Sequence, residues 1–200
     1  MNIGLYGGTF SPPHIAHRRS AELFAAAASL DKLYVMPAGI PPHKTADRWG
    51  RAEYRLEMAR LAFEDIAEVS DYEITKEGRS YTVDTLRWLK ARHPDSHLHM
   101  LVGEDMFLSL DSWREPFEIM KLCTIVAVRR KDTPQTVMEE AARDYKERYG
   151  AQIILMEVEP LEVSSTQIRE MISRDMDARS LLGERVAEYI KDHGLYRNEN

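Results

Sequence analysis

Two histidines near the start of the chain have the spacing and surroundings of a phosphate-binding site. His14 and His17 lie three residues apart, so on a helix both side chains share one face of its opening turn. Residues 2–6 are typical of a buried strand, and the glycine- and proline-containing segment 7–13 must leave that strand as a turn. We expect Ser11 or a neighbour to cap the following helix, with both prolines in its first turn. Free N–H groups and the helix dipole then favour a bound anion.

A segment late in the chain carries hydroxyl and guanidinium groups that suit the same ligand. Residues 163–169 read Val-Ser-Ser-Thr-Gln-Ile-Arg. Ser164, Ser165 and Thr166 at a helix start can cap it and donate to anions, and Arg169 follows one turn later. Taken alone, the pattern fits a plain capped helix with an exposed arginine equally well.

The pattern of apolar runs predicts how these segments are positioned. Strands are predicted at 2–6, 32–36, 67–74, 98–102, 123–128 and 152–156, with helical patterns between them. This alternation predicts an α/β fold, a doubly wound, mostly parallel sheet flanked by helices, Rossmann-like in architecture. Ligands of such sheets bind beyond the carboxyl ends of the strands. Segments 7–17, 37–44, 103–113 and 163–169 should therefore surround one crevice. With no linker, we expect a single domain over 1–200, with a small helical part from about residue 164.

Composition limits the classes of function that need consideration. The chain has 200 residues, 44% of them hydrophobic and 30% charged, and a net charge of −6. The acidic balance argues against a nucleic-acid or membrane-surface protein. No stretch is long and apolar enough to span a bilayer, and the N-terminus lacks the pattern of a signal peptide. The only cysteine, Cys123, is predicted to be a buried strand residue in a reducing, cytoplasmic location. The oligomeric state stays open, and a homodimer is compatible with the sequence.

The two motifs resemble a known superfamily. GGTFSPPHIAH resembles the HxGH-type signature of the nucleotidyltransferases, and VSSTQIR resembles their second signature, ISSTxIR. Ser11 stands where the family usually has an acidic or amide residue, and Ala16 stands where the signature has glycine. PPHK at 41–44, GRSYT at 78–82, GED at 103–105 followed by Trp113, and HGLY at 193–196 narrow the resemblance to the bacterial nicotinate-nucleotide adenylyltransferases. The likeness covers nearly the whole chain and is weakest from 130 to 151.

The resemblance implies transfer of AMP from ATP to nicotinate mononucleotide, with ATP and that mononucleotide as partners and Mg²⁺ carried with ATP. The catalytic candidates are His14, His17, Lys44 and Arg169. Residues expected to bind ATP are Gly8, Thr9, Phe10, Gly103, Asp105, Ser164, Ser165 and Thr166. For the nicotinate nucleotide, Trp113 offers a stacking face, and Tyr81 and Thr82 can donate to the carboxylate.

Alternative interpretations remain at this stage. Trp113 can be a core tryptophan, and Arg79 and Tyr81 can be solvated turn residues. The histidine pair can share zinc, but a third ligand of the expected type is not nearby, so we predict no protein-held metal. The acceptor can instead be nicotinamide mononucleotide or phosphopantetheine, and the chain can be a non-catalytic nucleotide sensor on the same fold. We expect the long polar loop 38–50, which carries Lys44, to move on binding.

Overall fold

A parallel sheet of six strands forms the centre of the chain, in a computed structural model that describes residues 1–39, 51–129, 134–158 and 161–197. The strand order is β3-β2-β1-β4-β5-β6, so the chain reverses direction across the sheet between β1 and β4. Such a reversal is where doubly wound sheets bind ligands. The predicted fold class is confirmed. The strands are β1 Asn2–Gly8, β2 Lys32–Pro37, β3 Glu68–Val69, β4 His97–Gly103, β5 Cys123–Arg129 and β6 Ile153–Glu157.

Helices connect the strands and cover both faces of the sheet. A 3₁₀ turn, Leu110–Ser112, lies between the fifth and sixth helices, and the short ninth helix was not predicted from sequence. None of the helices within the described ranges combines the length and apolar character needed to cross a bilayer. The helices are α1 Ile15–Ala27, α2 Ala52–Phe63, α3 Tyr72–Thr75, α4 Thr82–Arg92, α5 Glu104–Leu108, α6 Pro116–Leu122, α7 Gln135–Tyr149, α8 Ser165–Ser173, α9 Arg179–Leu182 and α10 Glu184–Asp192.

Strand β4 shows how alternating side chains build a core on each side of the sheet. Leu98 and Met100 join the cluster that α4, α6 and α7 cover, whereas Leu101 faces the cluster under α1 and α2. Successive strand residues point to opposite faces, so a strand covered on both faces is apolar throughout. Each fully buried leucine or methionine side chain stabilises the folded state by about 1.5–3 kcal/mol relative to an exposed one. The sheet is thus a stable platform for loops at its carboxyl edge.

The last helices pack against α2 and form a third apolar cluster. Met58 of α2 is fully buried against Ile168 of α8, and Val186 and Ile190 of α10 complete the contact. Because α2 also covers the main sheet, this packing fixes the start of α8 relative to the end of β1.

The strand predicted at 67–74 is wrong beyond its first residues. Only Glu68–Val69 pairs with β2, and α3 begins at Tyr72. The Ser70 N–H makes a last bond to the Val35 carbonyl, after which the chain turns. The Tyr72 ring then stacks on Trp88 at a centroid distance of 4.3 Å. The apolar residues that suggested a strand are therefore used to attach a helical turn to α4.

Candidate active site

The site lies at the point where chain order reverses, between the ends of β1 and β4. Tyr6 pairs with Leu101, and both strands end two residues later, at Gly8 and Gly103. A Cβ on Gly8 would lie 2.8 Å from the ring of Phe10. No other residue type therefore allows the chain to turn back over β1 in this way.

Phe10 anchors this turn in the core. Its side chain is 1% exposed and makes edge-to-face contacts with Tyr6 and Phe63, at centroid distances of 5.3 and 5.5 Å. Its backbone has φ 50°, the left-handed region that a residue with a side chain seldom adopts. The ring is thus held by packing, and a contact between Phe10 and a nucleotide would involve its backbone.

The first helix starts later than predicted, and its cap is a histidine. Helix α1 begins at Ile15 with His14 as the N-cap residue, so Pro12 and Pro13 precede the helix. The expected Ser11 cap is wrong, because the Ser11 hydroxyl is buried and lies 3.1 Å from the Tyr196 hydroxyl. A side chain in that hydrogen bond joins the turn to the far end of the chain and does not cap the helix.

The two histidines lie face to face at the start of α1. Their ring centroids are 3.8 Å apart, and the His14 backbone N–H donates to Nδ1 of His17 at 3.2 Å. Because Nδ1 of His17 is the acceptor, the neutral ring carries its proton on Nε2. His17 therefore presents one N–H donor, and its tautomer is set by the backbone.

Burial keeps both rings neutral without a ligand. It lowers the pKa of His14 to about 4. Burial lowers the pKa of His17 to about 3, and the neighbouring His14 lowers it further. In the free protein these histidines are polar donors and not cations at neutral pH. Positive charge at this end of the sheet must therefore come from arginine or from a proton taken up with a ligand.

The two sequence motifs are in direct contact. Ser165 Oγ donates to the Pro12 carbonyl at 2.9 Å, and Arg169 Nη1 donates to the Ser11 carbonyl at 2.8 Å. These bonds join residues more than 150 positions apart in sequence. The turn after β1 and the start of α8 therefore form one surface.

Ser164 and Thr166 complete the start of α8. Ser164 is its N-cap residue and accepts a hydrogen bond from the Gln167 N–H at 3.2 Å. Thr166 is exposed, and its hydroxyl accepts from Arg169 Nη2 at 3.1 Å. One guanidinium thus bridges the hydroxyl of α8 and the turn after β1.

The other predicted nucleotide contacts lie at the end of β4. Gly103 is the last residue of β4 and the N-cap residue of α5, and Asp105 is exposed in the first turn of that helix. Their position beside Gly8 in the sheet agrees with a shared crevice.

The predicted acceptor-binding residues form a second group beyond β4. Tyr81 is the N-cap residue of α4, and Thr82 is its first residue. Trp113 is half-buried, and both aromatic side chains pack against the same core cluster. The Arg114 guanidinium lies 4.5 Å from the centre of the Tyr81 ring. Tyr81 and the segment around Trp113 are therefore neighbours, as a shared binding role requires.

Two residues that were not predicted as site residues hold the turn after β1. Arg55 of α2 is 4% exposed and donates to the carbonyls of Thr9 and Gly39, at 3.0 and 3.2 Å. Tyr196, from the HGLY segment, bonds Ser11. One feature of the sequence could have identified Arg55, namely that it is a basic residue near the start of a helix, where acidic residues are favoured.

Lys44 lies outside the described residues, as do residues 40–50 of the loop expected to move. Within the described ranges, no group of three histidine, cysteine or acidic side chains is arranged to hold a metal ion. Cys123 is buried, and burial raises the pKa of its thiol. It has the position predicted for a structural residue in β5.

The fold and this site define an α/β nucleotide-binding protein with its anion donors at the reversal point of the sheet. Comparison with known proteins agrees. A family model described as cytidylyltransferase-like matches residues 5–171. Two solved structures of Plasmodium falciparum nicotinic acid mononucleotide adenylyltransferase, complexed with APC and with NaAD, superpose with TM-scores of 0.73 and 0.75. They cover 98% of this chain and 96% and 97% of their own, at 17% identity, which supports the fold alone.

Closer relatives in sequence identify the family. A protein of Desulfitobacterium hafniense named as a probable nicotinate-nucleotide adenylyltransferase is 38% identical over 198 residues, covering 98% of this chain and 95% of its own. One of Citrifermentans bemidjiense with the same name is 37% identical and covers 98% of both chains. The chain belongs to the nicotinate-nucleotide adenylyltransferase family.

Proposed function

We propose that this enzyme transfers AMP from ATP to nicotinate mononucleotide, giving deamido-NAD and pyrophosphate in NAD biosynthesis. The observation that carries the proposal is the contact between the turn after β1 and helix α8. It brings the N–H of His17 and the guanidinium of Arg169 to one end of the sheet, with the hydroxyls of α8 beside them. The names of the relatives supply the acceptor.

The reaction needs positioned charge more than a catalytic base. A phosphate oxygen of nicotinate mononucleotide attacks the α-phosphorus of ATP, a new P–O bond forms, and the bond to the β-phosphate oxygen breaks. The electron pair leaves with pyrophosphate. A phosphate monoester is mostly ionised at neutral pH, since its second pKa is about 6. The protein therefore has to align the two nucleotides and stabilise charge on the transferred and departing phosphates.

The described residues suit these tasks. His17 would donate its Nε2 proton to a phosphate oxygen, because its Nδ1 is already bonded to the backbone. Arg169 would reach the β- and γ-phosphates together with Ser165 and Thr166, since it already bridges α8 and the turn after β1. Lys44, which lies outside the described residues, stays a predicted cation near the reacting phosphates. An anionic ligand would raise the pKa of both histidines, so proton uptake can accompany binding.

The acceptor would bind across β4 from the triphosphate. Trp113 and Tyr81 rest on one core cluster, and a pyridine ring can stack on the exposed part of the tryptophan. Arg87 at α4 and Glu115 before α6 form an ion pair of 2.6 Å, which ties these two elements together. The shared core cluster and this ion pair therefore both help to fix the distance between Tyr81 and Trp113.

Magnesium would enter with ATP. It prefers phosphate oxygens and water over an all-protein site. When bound, the ion would neutralise part of the charge on the β- and γ-phosphates.

A pyrophosphate-release assay tests the function. Purified protein is incubated with ATP and Mg²⁺, and with nicotinate mononucleotide, nicotinamide mononucleotide or phosphopantetheine as acceptor. We expect rapid release only with nicotinate mononucleotide, and a deamido-NAD product by mass spectrometry.

The other results are informative as well. Faster turnover with another acceptor would refute the assigned substrate and keep the reaction class. ATP binding by calorimetry without turnover on any acceptor would identify a sensor and refute the enzyme. Cys123→Ser is a matched control, because its buried thiol lies away from the site, and it should not change the rate.

A further inference from the structure

Arg55 is a buried cation whose role is not explained by its place in α2. It is 4% exposed, and within the described part of the chain it donates to the backbone carbonyls of Thr9 and Gly39. Its Nε is buried and has no hydrogen-bond partner among the residues that the structure describes. Among the ion pairs of the described residues, none involves Arg55. Among the described residues the guanidinium is thus held by two backbone carbonyls and forms no ion pair, although the Glu53 carboxylate of the same helix raises its pKa from a distance.

A buried arginine near the start of a helix lowers the stability of the folded protein. Burial of a charge without an ionic partner costs free energy, and the burial of Arg55 lowers the pKa of its guanidinium. It also lies near the start of α2, where the helix dipole disfavours positive charge. A residue that lowers stability in two ways, through charge burial and through the helix dipole, often has a functional role.

The peptide that Arg55 contacts has its other polar group available. The Thr9 carbonyl and the Phe10 N–H belong to one trans peptide, so they point in opposite directions. Arg55 occupies the carbonyl side. Among the backbone hydrogen bonds of the described residues, none uses the Phe10 N–H as donor. The Phe10 N–H belongs to the turn between the end of β1 at Gly8 and His14, the N-cap residue of α1.

We propose that Arg55 is a positioning residue that holds and polarises the Thr9–Phe10 peptide, so that the Phe10 N–H donates to a nucleotide phosphate. A cation bonded to a carbonyl strengthens the donor at the other end of the same peptide. The negative charge of the bound phosphate in turn favours the charged form of Arg55. This inference rests on the proposed function in one respect, namely that a nucleotide phosphate occupies the turn after β1.

The second bond of Arg55 extends its role to the neighbouring loop. Its Nη2 donates to the Gly39 carbonyl at the end of β2. A Cβ on Gly39 would lie 2.1 Å from the Glu73 carbonyl oxygen, so that loop is confined from the opposite side. Arg55 therefore sets the separation between the loops that follow β1 and β2.

Selective labelling makes the Phe10 peptide visible. The chain has five phenylalanines, so protein labelled with ¹⁵N-phenylalanine gives five backbone amide signals. The Phe10 signal is assigned by its loss in Phe10→Leu. Titration with ATP and Mg²⁺, without acceptor, should move this proton downfield in the wild type. In Arg55→Met it should start upfield and respond to ATP much less.

Kinetics separate positioning from a merely structural role. We expect Arg55→Met to lower kcat about tenfold or more, less than the loss of a direct oxyanion donor, with the KM for nicotinate mononucleotide changed about twofold at most. Arg55→Lys, which can reach only one of the two carbonyls, should recover part of both kcat and the Phe10 response. Arg60→Met is the matched control, because Arg60 lies on the same helix, is exposed and pairs only with Glu57. It should behave as the wild type.

Each outcome decides a separate point. A folded Arg55→Met protein with wild-type kcat and a wild-type Phe10 response overturns the inference. If Arg55→Met does not fold, the same measurements are made on Arg55→Lys. A wild-type kcat and a wild-type Phe10 response in that variant would also overturn the inference. An unmoved Phe10 signal in the wild type on ATP addition also overturns it. If ATP moves that signal but the wild type releases no pyrophosphate with nicotinate mononucleotide, the proposed function fails and the role of Arg55 stands.

Discussion

Mild acid should destabilise this protein through its paired histidines. Burial lowers the pKa of His14 to about 4 and that of His17 to about 3, against an ordinary value of about 6.5 in an unfolded chain. Between those limits the unfolded chain binds protons that the folded protein does not, so stability falls as the pH is lowered. From pH 7.5 to 5.5 each histidine removes about 1.4 kcal/mol from the free energy of unfolding, about 3 kcal/mol for the pair.

The matched control replaces the pair without removing the helix start. In His14→Asn/His17→Gln, asparagine is a good N-cap, and glutamine three residues later can accept from the N-cap N–H as His17 does. Urea unfolding at both pH values, without nucleotide, gives the free energies. The wild type should lose about 3 kcal/mol more than the variant, while other groups such as His99 contribute equally to both. Equal losses in the two proteins would refute the argument that the buried pair stays neutral.

Three further substitutions test single residues of the site. His17→Ala should lower kcat by about two orders of magnitude while the protein stays folded by circular dichroism, because a charge-stabilising donor is lost; an unfolded variant would make the residue structural. Trp113→Ala should raise the KM for nicotinate mononucleotide more than it lowers kcat, and an unchanged KM would remove it from the acceptor site. Tyr196→Phe should lower the free energy of unfolding by about 1 kcal/mol, because the hydrogen bond to Ser11 is lost. A thermal unfolding curve that matches the wild type would show that this hydrogen bond makes no net contribution to stability.

The apolar periodicity predicted most of the sheet because its strands are buried on both faces. Strand β5 was predicted at 123–128 and found at Cys123–Arg129, and β4 was found one residue longer at each end than predicted. The edge strand β3 was predicted six residues too long. At the edge of a sheet the same apolar pattern is compatible with a strand or with a helix that packs on the sheet. Here the stacking of Tyr72 on Trp88 stabilises the helix.

The motifs predicted which segments of the site meet, but not how each residue acts. The glycine turn, the histidine spacing and the capped start of α8 are local signals, and the structure places all three together. The motif could not predict that the histidines are neutral, because their pKa values depend on burial, which no spacing rule reports. The role of Ser11 was likewise hidden, since its partner is Tyr196 at the other end of the chain.

Long-range donors explain why the turn after β1 could not be derived from its own residues. The carbonyls of Thr9, Ser11 and Pro12 accept bonds from side chains 46, 158 and 153 positions away. Two of these donors lie on α8, so the turn acquires its final hydrogen bonds only when α8 has docked on α2. A chain that ends before α8 would still contain the histidines and the glycines, yet two of the three carbonyls would be unpaired. The final hydrogen bonding of the turn after β1 is therefore coupled to the folding of the last helices.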